Sequence, residues 1–180
     1  MDVLKRIGSA AVVPVVVLDR AEDAVPTARA LLAGGIDVME ITFRTAAGRD
    51  AIAAVARECP EMLVGAGTVL NVAQGREAIE AGAKFIVSPG FSCELIDECA
   101  AQGIPALPGC ATPSEIMDAL DAGLKIVKFF PANVYGGLDA MKALASAFVG
   151  VKFMPTGGIN AKNLAEYLSA PFIHAVGGTW

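Results

Sequence analysis

Short apolar segments rich in β-branched residues recur along the chain at intervals of about 20 to 26 residues. The segments between them carry apolar residues at helical spacing, so strands and helices are predicted to alternate. Such alternation favours a parallel sheet, and so short a repeat is typical of a compact (β/α)8 TIM barrel. A doubly wound open sheet is the alternative, because a strand count does not establish closure. The predicted strands are 12–18, 38–43, 63–69, 85–90, 105–109, 126–131, 151–156 and 173–177.

Seven helices are predicted, and the sequence ends at Trp180, where an eighth helix is expected to begin. At 180 residues and 18.4 kDa the chain fits a single domain, residues 1–180. Thr112-Pro113-Ser114-Glu115 has the pattern of an N-cap and first helical turn. The predicted helices are 19–32, 46–59, 72–80, 93–101, 112–121, 138–148 and 163–168.

Composition excludes several classes of function. The net charge of −5 leaves no basic stripe, so no nucleic-acid partner is expected. One histidine rules out a His-rich metal site, and no metal is expected. Four cysteines without a C-x-x-C pair predict free thiols in a reducing cytoplasm. No apolar stretch approaches the roughly 18 residues that a membrane span requires, so no membrane association is expected. Residues 10–18, which follow two basic residues, are interpreted as the first strand rather than a secretory signal.

Lys128 lies in the middle of the apolar run of the sixth predicted strand, residues 126–131. Burial disfavours the charged form of an amine, and a neutral amine is the form that attacks a carbonyl. The alternative is a lysine whose ammonium extends to solvent from the end of the strand. Pro131 ends the run three residues later, so Lys128 is predicted near the carboxyl end of its strand.

The second predicted strand separates polar from apolar side chains with a period of two. Glu40, Thr42 and Arg44 share one face, whereas the intervening residues 39, 41 and 43 are apolar. If helices cover the outer face, the polar set points into the barrel, where charged groups are costly unless they have a role. Glu40 beside Lys128 is then a candidate proton shuttle, and a buried structural ion pair is the alternative.

Two glycine pairs follow the last two predicted strands. Gly157-Gly158 comes after the seventh and Gly177-Gly178 after the eighth. Glycines let backbone amides approach an anion, and these two loops hold phosphate in many such barrels. A Gly-Gly pair by itself usually marks only a turn. The prediction of a phosphate site therefore depends on the location of the two pairs, after the seventh and eighth strands. The glycines that end the third and fourth strands leave room for a ligand or allow close helix–strand packing.

Six segments together resemble the 2-keto-3-deoxy-6-phosphogluconate (KDPG) aldolases, a family also active on 4-hydroxy-2-oxoglutarate. The resemblance extends from the first strand to the last residue. It implies a class I aldolase on a (β/α)8 barrel that forms an imine with its substrate and needs no metal or organic cofactor. It also implies a homotrimer acting on a 2-keto acid phosphate. The segments are residues 40–45, 65–69, 88–90, 128–132, 155–159 and 177–180.

The resemblance also implies roles for individual residues. Lys128 is similar to the imine-forming lysine, and Glu40 to the general acid/base that takes the C4-hydroxyl proton during cleavage to pyruvate and glyceraldehyde 3-phosphate. Arg44 and Thr68 match residues that bind the pyruvyl carboxylate. The other matches are Pro89, Phe130 and Thr156 around the reacting carbons and Gly157, Gly158, Gly178 and Thr179 at the phosphate.

Some positions depart from the family pattern. Thr179 stands where serine is usual, and Asn133 where glutamate is common. Members also continue beyond this end through an eighth helix. One alternative is the galactonate-epimer aldolase, which, from the resemblance, lacks an arginine where Arg44 stands. The other is a non-catalytic phosphosugar-binding barrel, which would share the glycine loops but has no reason to keep Lys128 and Glu40 inward.

Overall fold

A computed structural model describes residues 2–179, in which parallel strands alternate with helices. All eight predicted strands and all seven predicted helices are present, which confirms the βα repeat. The strands are β1 Val12–Val16, β2 Val38–Thr42, β3 Leu63–Gly67, β4 Ile86–Val87, β5 Ala106–Leu107, β6 Ile126–Phe129, β7 Lys152–Pro155 and β8 Val176–Gly178. The α-helices are α1 Val3–Ala10, α2 Ala24–Ala33, α3 Gly48–Glu58, α4 Val72–Glu80, α5 Cys93–Ala101, α6 Pro113–Asp121, α7 Gly137–Ala147 and α8 Leu164–Ser169.

The strands form a curled, TIM-barrel-like parallel sheet. Six of them pair in the order β5-β4-β3-β2-β1-β8, and β6 pairs with β7. Isolated parallel bridges, Gly109 to Lys128 and Thr156 to Gly177, lie between these two groups. The carboxyl ends of all the strands therefore point the same way, and the loops that follow them share one end of the fold.

The structure corrects the prediction for the N-terminus, because a helix that was not predicted, α1, precedes β1. The Asp2 side chain caps α1 by accepting from the Leu4 amide at 3.1 Å. Ile7 is fully buried in a cluster with residues from the amino-terminal half of the sheet. Arg6 binds Asp37 at 2.9 Å, just before β2. This helix lies outside the βα repeat, so the period gave no sign of it.

The two faces of β2 divide as the alternation predicts. Met39 and Ile41 pack in the cluster that contains helix side chains such as Ile52. Val38 packs instead with Leu63 and other buried residues of the interior. Glu40 and Thr42 have the same parity as Val38, so they face the interior at the carboxyl half of the strand.

The sequence also led to expectations about an eighth helix, the cysteines and membrane-spanning segments. The eighth helix, expected to begin at Trp180, lies outside the described residues. All four cysteines are free, and burial raises the pKa of the Cys99 thiol to about 11 and that of the Cys110 thiol to about 12. Between residues 2 and 179, no helix is both long and apolar enough to cross a bilayer.

Candidate active site

Lys128 and Glu40 meet on the inner face of the curled sheet. Lys128 Nζ lies 3.6 Å from Glu40 Oε1, and the two residues are 3% and 0% exposed. The other six lysines of the chain are all exposed. The alternative in which the Lys128 ammonium extends to solvent is therefore wrong. A buried amine next to a buried carboxylate can exchange a proton with it over a short path.

Two glycines of β3 make space for neighbouring side chains in the interior, one of them Glu40. β3 pairs with β2 so that Gly65 is opposite Glu40 and Gly67 opposite Thr42. A methyl group on Gly67 would overlap the Glu40 carboxylate, and one on Gly65 would overlap the Phe85 ring. Both glycines are therefore required by side chains that fill the interior, so the missing Cβ atoms make room for Glu40 and Phe85 rather than for a ligand or for a packed helix.

Four buried polar atoms of the site have no hydrogen-bond partner among the described residues. They are both carboxylate oxygens of Glu40 and the hydroxyls of Thr42 and Thr156. Such groups are rare, because a buried unpaired polar group costs roughly 1–3 kcal/mol. Their occurrence together on β2 and just after β7 indicates a site built to bind polar atoms of a ligand.

Arg44 and Thr68 lie together at the carboxyl end of the sheet. The Arg44 guanidinium donates to Thr68 Oγ1 at 3.1 Å. Arg44 lies just beyond Thr42, where β2 ends, and is exposed at the strand exit rather than buried with Glu40. Thr68 has a φ of 54°, a left-handed conformation that is uncommon for a non-glycine residue. A guanidinium and a hydroxyl held side by side suit a carboxylate.

The two glycine-rich exits also lie side by side, because the Thr156–Gly177 bridge joins β7 and β8 at this end. Gly157 and Gly158 have φ values of 97° and 82°, which a side chain would strain. Their backbone N–H groups have no acceptor within residues 2–179. Gly178 and Thr179 follow the bridge on the neighbouring strand. The arrangement offers backbone amides to an anion.

Phe130 contacts Lys128, and Pro89 packs against the residue that bridges to Lys128. The Phe130 ring centroid is 5.4 Å from Lys128 Nζ, within range of a cation–π contact. The Pro89 carbonyl is packed against Gly109, which bridges to Lys128. Pro89 also lines a cavity of about 220 Å³ between the loops that follow β3 and β4. All the predicted site residues thus lie at the carboxyl end of the sheet or in its interior.

Two residues near this site received no role from the sequence. Thr42 was recognised only as part of the inward polar set, although its parity with Glu40 could have identified it. Asn133 packs directly on Gly158 and donates its backbone N–H to the Gly157 carbonyl at 3.1 Å. That contact joins the loops after β6 and β7, and no sequence pattern indicated it.

Other features of the described chain lie away from Lys128. A cavity of about 440 Å³ lies between α5 and α6 and is lined by Cys93, Asp97 and Asp118 among others. Within residues 2–179, no group of three or more His, Cys, Asp or Glu side chains could hold a metal ion. The chemistry that the site offers is that of an amine, a carboxylate and hydroxyl groups.

Known proteins resemble this chain over nearly its whole length. The family model for KDPG and KHG aldolase matches residues 3–180. A 2-dehydro-3-deoxy-phosphogluconate aldolase of Treponema pallidum is 53% identical over 94% of this chain and 80% of its own. A KHG/KDPG aldolase of Escherichia coli K12 is 49% identical over 94% and 79%. A crystal structure of a Legionella pneumophila KDPG aldolase, with pyruvate captured as a covalent carbinolamine, aligns with a TM-score of 0.95 at 43% identity, covering 100% of this chain and 87% of its own.

Proposed function

The chain belongs to the KDPG and KHG aldolase family, and we propose that Lys128 and Glu40 are the catalytic pair with which it cleaves KDPG to pyruvate and glyceraldehyde 3-phosphate. Cleavage of 4-hydroxy-2-oxoglutarate to pyruvate and glyoxylate is the second activity, since the Escherichia coli relative is a KHG/KDPG aldolase. The observation that carries the residue assignment is the 3.6 Å separation of a buried amine from a buried carboxylate.

Lys128 is the nucleophile. Its neutral amine attacks the C2 ketone, and the resulting carbinolamine loses water to give an iminium ion. The iminium withdraws electrons as the C3–C4 bond breaks, which leaves an enamine of pyruvate on Lys128. Protonation of the enamine and hydrolysis of the imine release pyruvate and restore the amine.

Glu40 moves the protons. It accepts the proton of the C4 hydroxyl as the C3–C4 bond breaks, directly or through a water molecule, and so releases the aldehyde. Because no described residue hydrogen-bonds to either carboxylate oxygen, both are free to serve the substrate. General base assistance of this kind typically contributes about 10²–10⁴-fold.

The remaining residues bind the two ends of the substrate. Arg44 and Thr68 are assigned to the carboxylate, which their 3.1 Å hydrogen bond supports. The phosphate is assigned to the backbone amides of the loops after β7 and β8, which the positive φ values support. Pro89, Phe130 and Thr156 are assigned to the reacting carbons. The phosphate-binding residues are Gly157, Gly158, Gly178 and Thr179.

Trapping with borohydride tests the function. Incubation with pyruvate and sodium borohydride should reduce the imine, and peptide mass spectrometry should find the adduct on the peptide that contains Lys128. The six exposed lysines provide an internal control, since amines in water stay almost wholly protonated at neutral pH. The Lys128→Arg variant keeps a basic side chain of similar length but has no amine that can form the imine, so it should give no adduct. Binding of pyruvate without an adduct, or comparable labelling of surface lysines, would contradict the proposal.

The proposal also covers the whole chain: a single closed (β/α)8 barrel domain, residues 1–180, that assembles as a homotrimer in the cytoplasm. The bridges on either side of the β6–β7 pair support closure. Exposed apolar side chains at Val134, Tyr135 and Val149 support association. Light scattering should report a mass about three times that of the chain.

A further inference from the structure

Thr42 is a buried residue of the site whose hydroxyl has no partner. It is 1% exposed, and its Oγ1 makes no hydrogen bond to any residue between 2 and 179. Valine has nearly the same shape and a higher preference for strands. A threonine that buries an unpaired hydroxyl therefore costs stability, and a role in the reaction explains why the hydroxyl is present.

The position of Thr42 indicates which step it serves. It lies two residues beyond Glu40 on the inner face of β2, a rise of about 6.7 Å along the strand. Gly67, its partner across the strand pair, has no side chain to cover it. The Arg44–Thr68 pair lies beyond the end of the strand. The hydroxyl thus lies between the proton-transfer carboxylate and the expected carboxylate-binding pair.

We propose that Thr42 is a positioning residue, whose hydroxyl works with the Glu40 carboxylate to hold the water molecule that leaves when the imine forms and returns when it is hydrolysed. The inference rests on the function proposed above. It deepens that function by naming a second residue that binds this water molecule. Without Thr42, Glu40 is the only residue assigned to contact the water.

The atoms of this step balance with no further reactant. In imine formation, protonated Glu40 gives its proton to the C2 hydroxyl of the carbinolamine. The C2–O bond then breaks, and the nitrogen lone pair of Lys128 forms the C=N bond. In hydrolysis, water attacks C2, and Glu40 takes the proton that the water loses. Thr42 Oγ1 hydrogen-bonds to the same water in both directions.

The test measures the water step directly. The Thr42→Val, Thr42→Ser and wild-type proteins are mixed with ¹³C-pyruvate, then chased with unlabelled pyruvate, and quenched with borohydride at successive times. Intact mass gives the rates of imine formation and hydrolysis, and the fraction trapped at equilibrium. A parallel sample in deuterated water gives the number of deuterium atoms that pyruvate gains per imine lifetime.

Thr42→Val should slow imine formation and hydrolysis equally, by about 2- to 10-fold, the value of one net hydrogen bond. The fraction trapped at equilibrium should stay unchanged, and the deuterium gained per imine lifetime should rise because each imine persists longer. Thr42→Ser, which keeps the hydroxyl, should restore both rates. Thr27→Val is the matched control, since that hydroxyl donates to the Asp23 carbonyl in α2, outside the site. If Thr42→Val does not fold, Thr42→Ala replaces it.

The outcomes separate the inference from the function on which it rests. If the wild-type protein forms no adduct on Lys128, the proposed function fails and the Thr42 role falls with it. If the wild-type protein forms the adduct but Thr42→Val keeps both rates, only the role of Thr42 is overturned. A lower trapped fraction with unchanged deuterium gain would instead show a structural effect on Lys128, which also overturns it.

Discussion

Lys128 Nζ lies 3.6 Å from Glu40 Oε1, although β6 and β2 are not neighbours in the sheet. The distance exceeds that of a hydrogen bond, so the two groups attract each other without being locked together. Each is nevertheless the only opposite charge that the other meets in the interior of the described chain. This relationship leads to predictions about each partner and about the residues that hold them.

Removing the carboxylate of Glu40 should reduce turnover of KDPG strongly but still allow the imine with pyruvate to form. We expect Glu40→Gln to lower kcat for KDPG cleavage by about 10²–10⁴-fold, because the general base is lost. The adduct with pyruvate and borohydride should still form on Lys128, more slowly. Steady-state kinetics and peptide mass spectrometry measure the two effects, and a variant that cleaves KDPG at the wild-type rate would rule out Glu40 as the base.

Gly67 should be intolerant of even one methyl group. A Cβ at this position would overlap the Glu40 carboxylate, so Gly67→Ala should displace it and reduce kcat on the order of 10²-fold. Gly34→Ala is the matched control, because a Cβ there would make ordinary contacts with helix carbonyls and Gly34 has a negative φ. Equal activities of the two variants would contradict the arrangement.

Gly158 should affect the phosphorylated substrate selectively. Gly158→Ala keeps the backbone N–H, but its Cβ would overlap Asn133 and its φ of 82° would be strained, so the amide should shift away from the phosphate. Because a hydrogen bond to a charged group contributes about 1.5–3 kcal/mol, KM for KDPG should rise at least about 10-fold. KM for 4-hydroxy-2-oxoglutarate, which has no phosphate, should change much less. Gly123→Ala is the control for backbone strain, since Gly123 has nearly the same φ, 80° against 82°, with no neighbour within 4 Å. Equal increases for both substrates would exclude a phosphate site at Gly158.

The capping box of α6 should make stability depend on pH. Burial raises the pKa of the Glu115 carboxyl, but hydrogen bonds from Ala111 and Thr112 lower it more, so the pKa lies below its ordinary value. A lowered pKa in the folded state stabilises the protein above the ordinary value of 4.5, and this stability is lost as the pH falls through the lowered pKa. Wild type should therefore be more stable than Glu115→Gln at pH 7, and the difference should shrink in acid.

Urea unfolding at a series of pH values measures that difference. Thr112→Ala is the companion variant, since it removes the other half of the box and should lower the free energy of unfolding by about 1 kcal/mol. A difference between wild type and Glu115→Gln that stays constant from pH 7 into acid would show that the Glu115 charge does not contribute.

The sequence alone predicted the βα repeat, the inward face of β2 and the unusual environment of Lys128. Hydrophobic periodicity and strand alternation are local properties, because each depends only on residues within a few positions of one another. They place Glu40 inward and Met39 outward before any contact is known. The N-cap of α6 was also predictable, because Thr112 and Glu115 are only three residues apart.

The tertiary structure alone decided which inward residues meet. The 3.6 Å approach of Lys128 to Glu40 depends on the curling of the sheet, which brings non-adjacent strands together. The exposure of Arg44 depends on where β2 ends, and α1 is held by contacts with residues far along the chain, such as the hydrogen bond between the Leu4 carbonyl and His174 at 2.8 Å. The unpaired hydroxyl of Thr42 is visible only when every neighbour is in place. Such contacts join residues that are distant in sequence, so a local sequence pattern does not predict them.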